Sequence, residues 1–441
     1  MIKDMTRGNP SRLIINFALP VLVGNLFQQL YSVVDTAIVG RGVGVNALAG
    51  VGSTGSLNWF IMGFIFGFTH GFSIKISQSF GSKDEKLTRK TVVMSLYLAM
   101  IISVLVSVLS AVFARPMLTW MGTPTDIIDS AVLYITIIFS GAWTIIFYNI
   151  TSAILRALGN STTPLISLLC CSGVNVVLDI LFVIVFKWGV AGAAIATVIA
   201  NIISGLVCFV AVLRIPMLKM TKEDLKWNKR IARDLIRLGL PVGLMNSVTA
   251  IGTIALQFVV NSFGSAIVAA FTLGSKLVLI ADNCVNVVGT AVATYVGQNY
   301  GAGDIPRTKL GVRKGFFIAL GLSAILAAIM TVFGKNLLAL FVSAGETAVI
   351  GDAYTYVFVC SCMIWSLGML FVYRSALQGM GDTIVPMFSG FLELGLRIGV
   401  VFLLPKSFGF YRISFAEVSA WLGAALMLFA AYLIRMRRKN Q

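Results

Sequence analysis

Leu155-Arg-Ala-Leu-Gly159-Asn-Ser-Thr-Thr-Pro164 returns about 220 residues later as Leu377-Gln-Gly-Met-Gly381-Asp-Thr-Ile-Val-Pro386. Each copy reads as a helix that stops at a glycine, a polar turn with an N-cap, and a proline in the first turn of the next helix. Two further pairs keep the order and nearly the offset. Phe17-Ala-Leu-Pro20-Val matches Leu238-Gly-Leu-Pro241-Val, with Asn25 opposite Asn246. Gln78-Ser-Phe-Gly81-Ser-Lys-Asp84 matches Gln298-Asn-Tyr-Gly301-Ala-Gly-Asp304. The chain is therefore read as a duplication, a point to settle before any fold is assigned.

Composition says what each copy contains. With 441 residues, 58% hydrophobic, 12% charged and a mean hydropathy of +0.93, the soluble globular class is excluded. Apolar runs fall at about 13–39, 50–77, 92–114, 130–155, 165–186, 190–213, 235–262, 268–296, 315–341, 353–373, 384–404 and 413–434. Each is long enough to cross a bilayer as a helix, which takes roughly 20 residues. Six precede the polar stretch from Arg214 to Arg237 and six follow it. An even number per copy makes both copies enter from the same side, which gives a parallel repeat. The expected fold is an all-α polytopic membrane protein with twelve transmembrane helices in two six-helix lobes, related by a pseudo-twofold axis along the membrane normal. Residues 1–213 form the amino-terminal lobe, 214–234 a cytoplasmic linker and 235–441 the carboxy-terminal lobe. Two lobes in one chain can enclose a pathway, so a monomer is expected to suffice.

A net charge of +17 would suggest nucleic acid as partner in a soluble protein. Here position decides otherwise. Twenty-five Lys and Arg fall on loops and tails of the amino-terminal side and six on the other. That asymmetry places both termini in the cytoplasm of a cell that carries the protein in its inner or plasma membrane, with the lipid bilayer as its surroundings and no nucleic acid as partner. The polar stretch after residue 213 reads as a solvated linker rather than a lipid-headgroup site. Met1 to Arg12 lacks a signal-peptide pattern. Six cysteines in apolar runs without metal-ligand spacing imply no disulfide framework.

Against this apolar background a few polar side chains stand out. Asn175 and Asp179 are one helical turn apart in the run 165–186, on one face, where an amide and a carboxylate can share a proton or a cation. Asp35 lies in the middle of the first run, and Thr197, in the run after Asp179, could supply a hydroxyl. An ionisable group at membrane depth costs roughly 2.5–3.5 kcal/mol and usually carries function, although polar glue between helices is the competing explanation. In the second half stand Asp282, Glu393, Arg397 and Gln257, a possible second polar site. Glu393 and Arg397 are spaced as a helical ion pair, which favours a structural role. Pro20 and Pro241 each interrupt a span and free a carbonyl, so Pro20 is a candidate hinge in the helix that carries Asp35.

The paired six-span lobes, the Gln-x-x-Gly turns, the Leu155–Pro164 stretch and the acid in the first helix resemble the multidrug and toxic compound extrusion (MATE) transporters. The resemblance covers about residues 11–433. Asp35, Asn175, Asp179 and Thr197 resemble the amino-lobe cation site of the DinF-like branch. The resemblance implies that protonation or sodium binding there is exchanged for outward movement of a small organic substrate, cationic or amphiphilic. These four side chains would be metal ligands only if sodium is the coupling ion. The NorM-like branch places an acid in the seventh helix, where residues 241–263 have none and Gln257 is the nearest long polar side chain.

On these readings the protein is expected to be a secondary antiporter. Two acids held close together in a dry setting repel, so the pair should take up H+ or Na+. Apart from that ion no cofactor is expected. The nearest alternative is a flippase of lipid-linked saccharides, disfavoured by the few basic residues at membrane depth. An enzyme is not expected. His70 is the single histidine, with no metal-binding partner, and no phosphate-binding Gly-rich loop ending in Lys-Ser/Thr occurs.

Overall fold

Asp84 and Asp304 each open a helix with the same side-chain cap, one in each half of the chain. The computed structural model describes residues 2–43, 50–125, 127–341, 347–405 and 408–438. Lys406 and Lys439, both counted in the charge asymmetry, lie outside the described residues. Among those described, helices are the only regular structure. They run α1 Pro10–Gly42, α2 Gly55–Gly81, α3 Glu85–Trp120, α4 Ile128–Ser140, α5 Ala142–Ala157, α6 Thr162–Asp179, α7 Gly189–Leu213, α8 Lys229–Asn261, α9 Ser265–Gly301, α10 Ile305–Ala339, α11 Thr347–Gly379, α12 Ile384–Leu403 and α13 Tyr411–Arg438. Among the described residues eleven helices are long and apolar enough to cross a membrane, and α4 with α5, bent by 44° around Gly141, brings the number to twelve if that bent pair is counted as one span.

Asp84 Oδ1 accepts from Leu87 N at 2.8 Å, and Asp304 Oδ1 from Arg307 N at 2.9 Å. These caps satisfy backbone donors that a helix start leaves open. The turns before α6 and α12 differ in detail from the expected N-cap. Ser161 and Thr383 occupy the N-cap position without a side-chain cap. Asn160 caps instead, accepting from Thr163 N at 3.0 Å, and Asp382 accepts from Val385 N at 3.3 Å. The glycines just before them, Gly159 and Gly381, have φ of 78° and 87°, a left-handed turn that suits glycine.

The chain divides into two compact units. The first comprises Met1–Asp4 and Leu19–Gly243, the second Met5–Ala18 and Leu244–Gln441. The expected lobe boundaries, 1–213 and 235–441, differ from these in two places. The start of α1 groups with the second unit, and the linker plus the first half of α8 groups with the first. Both α1 and α8 are continuous through Pro20 and Pro241, and each changes unit close to its proline.

Glycines explain why α8 joins the first unit. A Cβ on Gly67 of α2 would meet Val242 O at 2.5 Å, and one on Gly71 would meet Gly239 Cα at 2.4 Å. On the facing side, Gly239 and Gly243 abut Phe68 and Phe64. Each strand of this seam has two glycines four apart, which lets helix backbones touch. Lys75 of α2 pairs with Asp234 of α8 at 2.9 Å beside it. The first unit's core then closes around Phe68, Phe72, Met94, Phe139, Ile154 and Leu235.

Within each unit the amino-terminal residues are pinned. In the first, Lys3 N donates to Leu158 O at 3.2 Å and Lys3 O fills the space where a Gly159 Cβ would be. In the second, Met5 is fully buried, its N donates to Gln298 Oε1 at 2.8 Å, and Asn299 and Arg307 donate to its carbonyl. Gln298, half of the repeated Gln-x-x-Gly pair, therefore holds the amino terminus as well as closing α9.

The linker is docked on α3. Arg89 Nε donates to Asp224 Oδ2 at 2.9 Å, Thr221 N and Oγ1 donate to the same oxygen, and Tyr97 donates to Leu225 O. Burial works against the Asp224 charge, but the Thr221 and Arg89 hydrogen bonds outweigh it and hold the carboxyl below the usual carboxylate range. A depressed folded value means that the charge stabilises the docked linker fully above the ordinary carboxylate pKa, about 3.9. The contribution fades only as pH falls through the lower folded value. At pH 7.5, Asp224→Asn is expected to speed tryptic cleavage after Lys222 and Lys226 several-fold. Unchanged cleavage would show that the linker is held by other contacts.

Candidate functional site

The carboxylates that lie inside the apolar runs of the first unit come from α1 and α6. Asp179 closes α6 and is fully buried, while Asp35, in α1, is half-buried. Their carboxyls hydrogen-bond to each other. Two carboxylates offer only acceptors, so this bond requires a proton between them. Asp35 Oδ1 is buried and accepts no hydrogen bond. Asn175, one turn before Asp179 on α6, is 1% exposed. The Thr197 hydroxyl donates to Ala193 O at 3.1 Å within α7, and Asn201 Nδ2 donates to Thr197 O at 2.8 Å.

Two features here escaped the sequence reading. Tyr134 of α4 stands within electrostatic reach of both Asp35 and Asp179. Its signal was a lone phenol in the apolar run Val132–Phe139. Directly after Asp179, residues Ile180–Val185 form a π-helix, continued by Phe186 N donating to Leu181 O at 2.8 Å. Single π turns mark functional positions because the extra residue turns side chains out of register. Val183 in this turn packs with Ala193 of α7 and Ile38 of α1, so the turn touches the helix bearing Asp35. No periodicity in an all-apolar hexapeptide could have announced it.

The second unit holds a buried charge network. Arg374 of α11 pairs with Glu393 of α12 and donates to Ser389 Oγ at 3.2 Å. Arg397 of α12 makes a two-pronged bond to Glu417 of α13, Nε to Oε2 at 3.1 Å and Nη2 to Oε1 at 2.8 Å. All four residues are at most 8% exposed. Asp282 of α9 lies within electrostatic reach of each of them. The expected Glu393–Arg397 pair along α12 is thus corrected. Each finds its partner on a facing helix, where the planar guanidinium fork of Arg397 can match a whole carboxylate. Arg374, expected in a cytoplasmic loop, lies inside α11, because that helix runs on to Gly379 beyond its apolar window. Gln257 does not belong to the network by any hydrogen bond among the described residues. Its amide donates to Asn261 at 2.9 Å.

The sequence model of the MatE family matches residues 20–181 and 241–403, one stretch in each half. A probable multidrug resistance protein of Bacillus subtilis strain 168, YpnP, is 28% identical over 352 residues, covering 80% of this chain and 79% of its own. A second from the same organism, YoeA, also a probable multidrug resistance protein, is 28% identical over 397 residues, covering 88% and 85%. Among solved structures, one described as the outward-facing conformation of a multidrug resistance MATE family transporter aligns with a TM-score of 0.92 at 23% identity, over 99% of this chain and 98% of that one.

Proposed function

Since the chain belongs to the MatE family, we propose that it is a multi-pass membrane antiporter, not an enzyme, that exports organic cations or amphiphiles in exchange for H+ or Na+. The observation that carries this reading is the Asp35–Asp179 hydrogen bond inside an apolar unit. In this mechanism the pair gives up its proton towards the cytoplasm and regains a proton, or a sodium ion with Asn175 and Thr197 as further oxygen ligands, from outside. Loading lowers the negative charge shared by α1 and α6 from two to one. Helix α1 then bends at Pro20, and a cationic substrate that was attracted by the ionised pair is released. Alternating exposure of this kind needs no cofactor besides the coupling ion. A single chain is sufficient for it, and both termini face the cytoplasm on this reading.

The second unit's charges are proposed as a structural network. Its arginines have carboxylate partners, which also weakens the flippase alternative, since Arg397 is no longer free for a pyrophosphate. Lys276, the other basic residue at that depth, is exposed.

The test is efflux of a fluorescent organic cation from proteoliposomes with a proton gradient or a sodium gradient imposed separately. One gradient is expected to drive efflux at least about tenfold faster than none, and that gradient names the ion. If neither does while a lipid-linked saccharide crosses, the flippase reading replaces this one.

A further inference from the structure

Arg156 presents a charge that the antiport reading does not use. It sits in the last turn of α5, where the helix dipole favours a cation and a long side chain would ordinarily extend outwards to water. It does the opposite. Arg156 Nη1 donates to Ser152 Oγ at 2.7 Å, one turn back towards the middle of the helix. Arg156 is half-buried, and its charge lies within electrostatic reach of His70 on α2, Tyr148 on α5 and Cys208 on α7. Among the described residues no carboxylate pairs with it.

The duplication shows what is missing. At the offset that sets Gly381 against Gly159, Ser152, Ser167 and Cys171 correspond to Arg374, Ser389 and Glu393. In the second unit those three form the buried Arg374–Ser389–Glu393 group. In the first unit the arginine enters from one turn further along and bonds Ser152, while Cys171 occupies the sequence position of the other copy's acid. The same corner of the fold is neutralised in one copy and bare in the other. A guanidinium in a poorly hydrated setting is stabilised by an anion, and its planar fork suits a carboxylate.

From this we infer that Arg156 is a recognition site for a carboxylate on the transported solute, so that the first unit selects amphoteric molecules. This rests on the antiport reading for the other end of the molecule, where Asp35 and Asp179 attract the cationic centre. Cys171 and Asp179 are eight residues apart on α6, about 12 Å at 1.5 Å per residue. The position that holds the acid in the second copy and the acid of the first unit's pair are thus set apart by about the length of a drug-sized solute with an amine at one end and a carboxylate at the other.

The test compares two dyes of one scaffold, rhodamine 110 with a free carboxylate and rhodamine 123, its methyl ester, by fluorescence anisotropy on protein in lipid nanodiscs. Arg156→Gln is expected to weaken rhodamine 110 binding at least fivefold and to leave rhodamine 123 within twofold. Arg156→Lys, which keeps the charge but loses the fork, should fall between. Equal weakening of both dyes, as a merely structural arginine would give, overturns the inference, and so does no change in either. Because the readout is binding without a gradient, carboxylate selectivity that persists when gradient-driven efflux fails sinks the antiport reading and leaves the recognition site standing.

Discussion

Proteoliposomes carrying Asp179→Asn are expected to lose gradient-driven accumulation of substrate while still exchanging it across the membrane. Each pH unit is worth 1.36 kcal/mol per proton. A one-for-one electroneutral exchange with H+ across two pH units therefore sustains a concentration ratio of up to about 100. Asparagine has the shape of the protonated acid but takes up no proton, so the ratio should collapse towards 1. Asp35→Asn should do the same, because the two carboxyls bond to each other and share the proton. Combining the replacements should add nothing further. A variant of either kind that still builds a ratio near that of the unaltered protein would remove the pair from the coupling mechanism.

The second large effect is on stability. Glu393→Gln leaves the Arg374 guanidinium buried against an amide, and breaking a buried ion pair by removing one partner costs about 3–5 kcal/mol. Thermal unfolding in detergent should show a strongly lowered midpoint. Replacing both partners, Arg374→Met with Glu393→Leu, should recover most of the loss, because no uncompensated charge remains. If the single variant unfolds like the unaltered protein, the network does not hold α11 to α12. If the double variant is as poor as the single one, the loss comes from packing rather than from charge.

How far the sequence could be read depended on whether the relevant physics was local. Spans, caps and the duplication are local, and the acids at 35 and 179 stood out because carboxylates are rare in such runs. The hydrogen bond between them is not local, nor is the choice of ion-pair partner. Glu393 and Arg397 satisfied the one-turn rule along α12, yet Arg374 and Glu417 won by presenting better geometry from facing helices. Arg374 and Arg156 were placed in loops because the windows ended where hydropathy fell, whereas α11 continues to Gly379 and α5 to Ala157. The cap at α6 was expected one residue late, since serine and asparagine both cap and only the fold shows which oxygen reaches Thr163 N.

The exchange of helix halves near the two prolines bears on how the protein can be made. If the gene were cut within the linker, the leading piece would lack Gly239 and Gly243, the other side of the glycine seam that closes its own core. The trailing piece would lack residues 5–18, which belong to its unit, and with them the fully enclosed Met5. Neither fragment is therefore expected to fold alone, although each carries one copy of the repeat. Separately expressed pieces are expected to need production together for either to reach its native packing.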